Sequence, residues 1–392
     1  MKIQKKPIAL TAFILMTALV FAQLDPGSHQ GQVLRQEVDE GSRIIATGVP
    51  LLLIAPDSRA GSMGDLGVAS SPDANSNHWN AAKLPFADKK FGASFTYSPW
   101  LRDLGVDIDL AYLAGYYKLN DRSAIGASLT YFSLGNIEFF DNQGNSLGIY
   151  NPNEFALDMS YSLKVNENLS LSATGRYIRS DLTQGQNVGT ISTHAGNAFA
   201  ADIGLYFQKD IAGDKPQQYA LGAQISNLGN KISYSDDDID ASFLPANLRL
   251  GGRYTYSMDQ FNKISFLLDF NKLLVPTPPV RDSAGEIFEG YDNNVGVIKG
   301  ALQSFYDAPG GFSEELKEVN ISAGAEYWYN NLLAVRAGYF YENKRKGNRQ
   351  YLTLGLGLKY NSLGIDISYL VPTSQTNNPL KNTLRVSLSF DM

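Results

Sequence analysis

His29, His78 and His194 are the only imidazoles among 392 residues, and there is no cysteine. A thiolate metal cage, a disulfide framework and a cysteine nucleophile are therefore outside this chain's chemistry. His194 with Asp181 and a loop serine could in principle supply a base, its orienting group and a nucleophile. No spacing in the sequence supports that set, so a polar loop histidine is the plainer reading. Asp236, Asp237, Asp238 and Asp240 offer the hard oxygen ligands that calcium takes, although such a run equally suits a solvated loop. Lys344, Arg345, Lys346 and Arg349 form a basic tip. It could meet the phosphates of lipopolysaccharide or simply sit in water. No catalytic residue, metal site or cofactor is expected.

Whatever these side chains do, long alternating segments must position them. Ile108, Leu110, Tyr112, Ala114 and Tyr116 alternate with Asp107, Asp109, Ala111, Leu113 and Gly115. Leu352, Leu354, Leu356, Leu358 and Tyr360 alternate with Tyr351, Thr353, Gly355, Gly357 and Lys359. Successive strand side chains point to opposite faces, so each segment has one continuous apolar face. The pattern predicts fourteen strands, at 89–98, 107–118, 123–139, 154–165, 168–180, 197–209, 217–228, 246–257, 261–272, 318–329, 332–342, 350–360, 362–371 and 382–391. Most have about ten residues, enough to cross a bilayer at a tilt.

The connections alternate in length. "KLNDRS", "KVNENL", "SMDQF", "YNN" and "YNS" are short, and "KDIAGDKPQQ" is somewhat longer. Between them come "FDNQGNSLGIYNPN", "SDLTQGQNVGTISTHAG", "NKISYSDDDIDASFLP" and the stretch Leu273–Lys317. Short turns on one rim and long loops on the other predict an all-β, transmembrane antiparallel barrel over residues 89–392. A soluble sandwich is the alternative, with shorter strands and less regular loops. The long loops are expected outside the cell and both termini in the periplasm. The last strand, "TLRVSLSFDM", would turn Leu384, Val386, Leu388 and Phe390 outward and close against the first.

The face opposite the lipid would carry Asp109, Asp158, Asp202, Asp269, Glu326 and Asp366 with Arg176, Arg249, Arg253, Arg336 and Arg385. These charges either pair with one another and with something that fills the lumen, or they stand in a water-filled channel. The outer loops carry apolar groups, namely Phe243, Leu244 and Pro245, Ile287 and Phe288, Phe305 and Tyr306, and Phe312. Such groups mark partner surfaces or pack over the barrel mouth.

Composition agrees with an exported membrane barrel. Charged residues make up 18%, below the roughly 25% of soluble domains, beside 22 Tyr, 20 Phe and 36 Gly. A net charge of −6 argues against a nucleic-acid partner. Lys2, Lys5 and Lys6, the apolar run Ile8–Phe21 and a small-residue site at Ala22 read as a signal peptide over residues 1–22. Residues 23–88 then precede the barrel. They are too long for a tail, and "VPLLLIAP" is too apolar to remain in water, so a plug inside or under the barrel is expected. Gly61, Gly64 and Gly67 would allow its turns, Asp57, Arg59, Asp65 and Asp73 could complement lumen charges, and Trp79 could anchor it.

Within that segment, "APDSRAGSMGDLGVASSPDANSNHWNAAKLPF" resembles the N-terminal hatch of the PorV/PorQ branch of the FadL superfamily. A Gly-Met-Gly turn corresponds to Gly61–Gly64 around Met63, and an Asp-Ala-Asn run to Asp73–Asn75. The Asn-Pro-Ala motif corresponds to Asn80–Ala82, with Ala81 in place of proline. The resemblance covers essentially the whole mature chain. It implies a fourteen-stranded barrel of the type IX secretion system in Bacteroidota. Its implied partners are a large translocon barrel, cargo proteins with a C-terminal signal domain, and a sortase-containing attachment complex at the surface. It implies no bond-making step. Two other functions remain open at this stage: FadL-type uptake of hydrophobic small molecules, and a rim enzyme acting on lipid A.

Overall fold

The computed structural model describes residues 43–100, 108–140, 146–186, 192–236, 241–374 and 383–392. The expected signal peptide, residues 23–42 and Asp237–Asp240 lie outside them. Fourteen antiparallel strands close into one barrel. They are β1 (Phe91–Trp100), β2 (Ile108–Lys118), β3 (Ser123–Ser133), β4 (Asn153–Lys164), β5 (Leu169–Asp181), β6 (Gly196–Ile211) and β7 (Gln217–Gly229). The others are β8 (Asn247–Ser257), β9 (Asn262–Leu273), β10 (Asn320–Tyr329), β11 (Leu333–Tyr341), β12 (Gln350–Tyr360), β13 (Leu363–Pro372) and β14 (Leu384–Asp391). Each strand pairs with its sequence neighbours, and β14 closes on β1 with Leu388 opposite Phe95. The short turns use residues that tolerate left-handed backbone, such as Asn330, Asn331 and Asn361 at φ 54°, 50° and 53°.

The outward face is apolar along the middle of the strands. Leu352, Leu354 and Leu358 on β12 are exposed, as are Leu384, Leu388 and Phe390 on β14. Tyr117, Tyr161, Tyr329 and Tyr360 ring the short-turn end, and Tyr97, Tyr131 and Tyr369 the other. Amphipathic rings at both ends of an apolar belt are the interfacial girdles of an outer-membrane barrel.

Three expectations change. The segment 123–139 is not one strand: β3 ends at Ser133, Gly135 has φ 75°, and Ile137–Phe140 pairs instead with Ser146–Tyr150 in a loop hairpin. On β2 the faces are reversed. Ile108, Leu110, Tyr112, Ala114 and Tyr116 are buried and point inward, whereas Asp109 shares the outward face with Leu113 and Tyr117. Asp109 is therefore not a lumen charge. It lies at the strand's end, where the Tyr97 hydroxyl donates to it at 2.6 Å. The inward face of β2 is apolar because it meets apolar residues inside the barrel. Finally, the residues before β1 do not all stay on the short-turn side. The Arg43 N–H donates to the Arg345 carbonyl (3.1 Å) and Gly48 N–H to the Phe243 carbonyl (2.8 Å), both acceptors lying on long loops. Residues 43–88 run from the long-loop rim, through the interior, to the short-turn rim where β1 begins. Met392 lies at that second rim, bonded to Phe91.

Candidate functional site: the occupied lumen and the long-loop rim

The interior begins at the long-loop end with an apolar layer. Val49, Leu51 and Leu52 pack with Ile108, Leu110, Phe132, Ile178, Ile232 and Leu244. Pro50 starts the single 3₁₀ turn, Pro50–Leu53, that presents Leu51 and Leu52 to this layer. Leu244 and Pro245, expected on an exposed partner surface, are buried beside it. The Phe243 carbonyl takes the Gly48 N–H, and its ring lies under Lys231 at 4.2 Å. Leu244 and Pro245 help close the mouth and are not available to a partner, whereas Phe243 is half-buried.

Below that layer the contacts become polar. Asp57 caps the short helix Ser58–Gly61 by accepting the Ala60 N–H at 2.9 Å. Its second oxygen accepts the Trp79 indole N–H at 2.6 Å. Gly67 leaves room for that indole, because a Cβ there would sit 2.5 Å from the ring. Asn80 caps the following turn through Ala82 N–H (3.1 Å), and its amide donates to the Val68 (3.1 Å) and Leu205 (2.9 Å) carbonyls. Met63 is buried with Leu66 and Leu267. Gly64 (φ 81°) and Asp65 (φ 57°) make the tight turn expected of the Gly61–Gly64 stretch.

The wall charges divide between wall and segment. Arg176 bridges Asp158 (2.6 Å) and Asp202 (3.1 Å) and also donates to Asn227. Arg336 bridges Glu326 (2.8 Å) and Asp366 (2.5 Å). Arg59 reaches across to the same Glu326 (2.9 Å) and to Asp73 (2.8 Å) within the segment. Arg385 pairs with Asp65 at 3.4 Å, and the Tyr351 hydroxyl donates to the same carboxylate at 2.5 Å. Asp269 accepts the Gly67 and Val68 N–H groups at 2.8 and 3.0 Å. Arg249 lies over the Trp79 ring at 4.9 Å, and Arg253 donates to Gln218 at 2.5 Å. Arg176, Arg336, Arg59 and Arg385 are thus matched to carboxylates, whereas Asp269, Arg249 and Arg253 are held by backbone, a ring and an amide.

Two cross-strand glycine pairs set how closely the segment approaches. Gly324 faces Gly338 and Gly222 faces Gly251. A Cβ at Gly338 would overlap the Met63 backbone, and one at Gly222 the Val68 carbonyl. Main chain lies against main chain there, so a side chain on either wall would push the segment out. Sequence reading missed Lys83, which is completely buried. Its ammonium donates to the Gly67 carbonyl (2.6 Å) and the Ser70 hydroxyl (2.9 Å) and so ties two turns together. A lone lysine inside the apolar "AAKLPF" was the available signal. Asn75 is also buried, at the floor of a polar cavity of about 1110 Å³ that opens at the short-turn end.

At the long-loop rim, residues 274–319 carry the helices Val297–Gln303 and Phe312–Glu315 and a small hairpin formed by Val280–Arg281 and Ile287–Glu289. Ile287, Phe288, Phe305, Tyr306 and Phe312 are exposed, Phe288 at 74% and Phe312 at 76%. Beneath them lies a charge cluster not foreseen from sequence. Glu318 accepts from Lys272 (2.6 Å) and Lys346 (2.8 Å), while Glu314 accepts from Lys346 (2.7 Å) and Arg43 (2.6 Å). Lys346 and Arg349 of the basic tip are thus occupied, the latter by Glu342 at 2.7 Å. His194 has Asp236, at 3.6 Å, as its acidic neighbour. Among the described residues no three His, Asp or Glu side chains converge as a metal cage.

The family model for the type IX secretion system protein PorV matches residues 37–280. The chain belongs to the PorV family. It is therefore an outer-membrane component of type IX secretion, and its family and fold are those of a secretion or transport barrel rather than of an enzyme family. No curated protein sequence matches it. Among solved structures, the TodX deltaS2S3 mutant monoaromatic hydrocarbon channel aligns over 86% of this chain and 99% of its own, at 15% identity and TM-score 0.48. The CymD monoaromatic hydrocarbon channel covers 87% and 98% at 12% identity and TM-score 0.47. A Pseudomonas aeruginosa FadL homologue covers 89% and 99% at 12% identity and TM-score 0.42.

Proposed function

We propose that this PorV-family barrel is a non-conducting cargo carrier of the type IX system. It docks beside the large translocon barrel, receives cargo by its C-terminal signal domain and passes it to the sortase-containing attachment complex. In this reading residues 23–88 are a fixed plug, the long loops face outward, and the charged residues named above hold plug to wall. One observation carries it: residues 43–88 cross the interior packed against its wall, closed at the long-loop end by the Val49–Leu52 layer, while the long-loop rim exposes Phe288, Phe305, Tyr306 and Phe312. A path for hydrophobic small molecules would have to displace the Val49–Leu52 layer, which weighs against uptake. Apolar groups surrounded by polar residues favour a protein partner instead.

The test is to replace Phe288, Phe305, Tyr306 and Phe312 together with serine in the producing cell. Cargo bearing the signal domain should accumulate in the periplasm, while the variant barrel stays at normal abundance in the outer membrane. Undiminished surface display would overturn the assignment of this rim.

A further inference from the structure

Arg249 is buried to 5% exposure, yet it forms no ion pair with any described residue. The carboxylates around it are held elsewhere. Asp269 accepts two backbone N–H groups of the segment on one oxygen while its other oxygen makes no hydrogen bond, Asp65 is held by Tyr351 and Arg385, and Asp202 by Arg176 and the Asn227 N–H. One face of the guanidinium is covered by the Trp79 ring. With the Asn247 amide nitrogen on the Lys272 carbonyl (2.8 Å), the Asn247 oxygen accepts from Arg249 Nε at 3.1 Å. The two terminal nitrogens are then left beside a cavity of about 120 Å³. A buried guanidinium without an ion-pair partner is costly, and the cost falls when an anion occupies the adjoining space.

The wall of that cavity supplies more donors. Arg249 on β8 faces Asn271 on β9, and Asn271 faces Asn320 on β10, so the three form one rung across adjacent strands. All three line the cavity, and neither asparagine side chain has a hydrogen-bond partner among the described residues. Leu53, Ile54 and Phe340 are among its apolar lining, and Asp65 and Arg349 line it as well, already held by Arg385 with Tyr351 and by Glu342 respectively. The volume equals about four waters, at about 30 Å³ each, too little for an acyl chain. One guanidinium without an ion pair, two neutral donors and apolar neighbours suit a weakly hydrated monovalent ion. A phosphate dianion would lack a second free cation here.

We propose that this cavity binds a small monovalent anion of the halide class, held by Arg249, Asn271 and Asn320. The ion holds Arg249 against Trp79 and so contributes to fixing the segment in the barrel. The site is independent of the secretion role and stands or falls separately from it.

Bromide is the probe. Crystals of the full barrel grown in sodium bromide should give an anomalous peak bounded by Arg249, Asn271 and Asn320. Arg249→Gln should abolish it. Should that variant fail to insert, Asn271→Ala, which keeps the charge, should weaken the peak. In detergent at fixed ionic strength, replacing gluconate by chloride should raise the unfolding midpoint saturably, by a few degrees. An unmodified barrel with no bromide in this cavity would overturn the proposal.

Discussion

At the long-loop end of the lumen, Val49, Leu51 and Leu52 pack with apolar residues of the wall and of the loop above it. At the short-turn end, Arg59, Asp73, Arg253, Lys263, Glu326 and Asp366 border an open cavity of about 1110 Å³. The same strands build both ends. The change occurs within single strands: on β5, Ile178 belongs to the apolar layer and Arg176, two residues away on the same face, to the polar wall. Water and ions can fill the short-turn cavity without opening a path, because the barrier is the apolar layer. That layer costs nothing in desolvated charge, and each fully buried leucine contributes about 1.5–3 kcal/mol. The polar half instead gives the segment its register, through ion pairs that fit only one placement.

This contrast breaks most severely at the boundary. Arg176→Ala would leave Asp158 and Asp202 buried and facing each other. We expect a loss of about 3–5 kcal/mol, read as denaturant-induced unfolding in detergent. A smaller loss would mean that water reaches these carboxylates and that the polar half extends higher than described.

Within the apolar layer, Leu51→Ala should cost about 2–5 kcal/mol, because the rigid wall cannot collapse onto the gap. It should also raise ion conductance in a planar bilayer. Ser257→Ala, on the rim of the polar cavity, should change stability by less than about 0.5 kcal/mol and leave conductance alone. Equal leaks from both variants would place the barrier elsewhere.

Trp79→Phe sharpens the comparison from the segment's side. It keeps most of the ring in place but removes the donor to Asp57, leaving that carboxylate with the Ala60 N–H alone. A loss of about 1–3 kcal/mol is expected. Its signature would be faster proteolysis within residues 43–60 and an unchanged barrel.

Much of the wall was legible in the sequence, because period two is a local property. The predicted strand 350–360 coincides with β12, and 217–228 with β7 to within a residue. What period two cannot say is which face is inside when both are apolar. On β2 the inner face meets Leu51 and Leu52, so it reads like a lipid face, and Asp109 was assigned to the wrong side. Partners were equally hidden. Arg59 and Glu326 are 267 positions apart, and Lys272 and Lys346 meet Glu318 only after the long loop folds back. Exposure in loops was half legible: Phe288 and Phe312 stand out, whereas Leu244 belongs to the barrier. An apolar loop residue does not announce whether it covers the mouth or faces a partner.

The smallest effect lies where the two ends are tied together, at Arg43. Burial alone would raise the Glu314 carboxyl, but hydrogen bonds from Arg43 and Lys346 outweigh it and hold the group at about 2. A carboxyl lowered on folding stabilises the fold fully above its ordinary value of 4.5, and the contribution fades as pH falls through about 2. The tie between residue 43 and the long loop should therefore be constant from neutral pH down to about 5 and weaken only in strong acid. Arg43→Ala removes one donor from a partly exposed pair, so the loss at neutral pH should stay below about 1 kcal/mol. Lys346 would remain, and the carboxyl would move back toward its ordinary value. Cleavage of residues 43–48 by an acid-active protease should then begin at a higher pH in the variant than in the parent. Identical pH profiles would mean that the Arg43 N–H bond to the Arg345 carbonyl, and not the ion pair, holds this end of the segment at the rim.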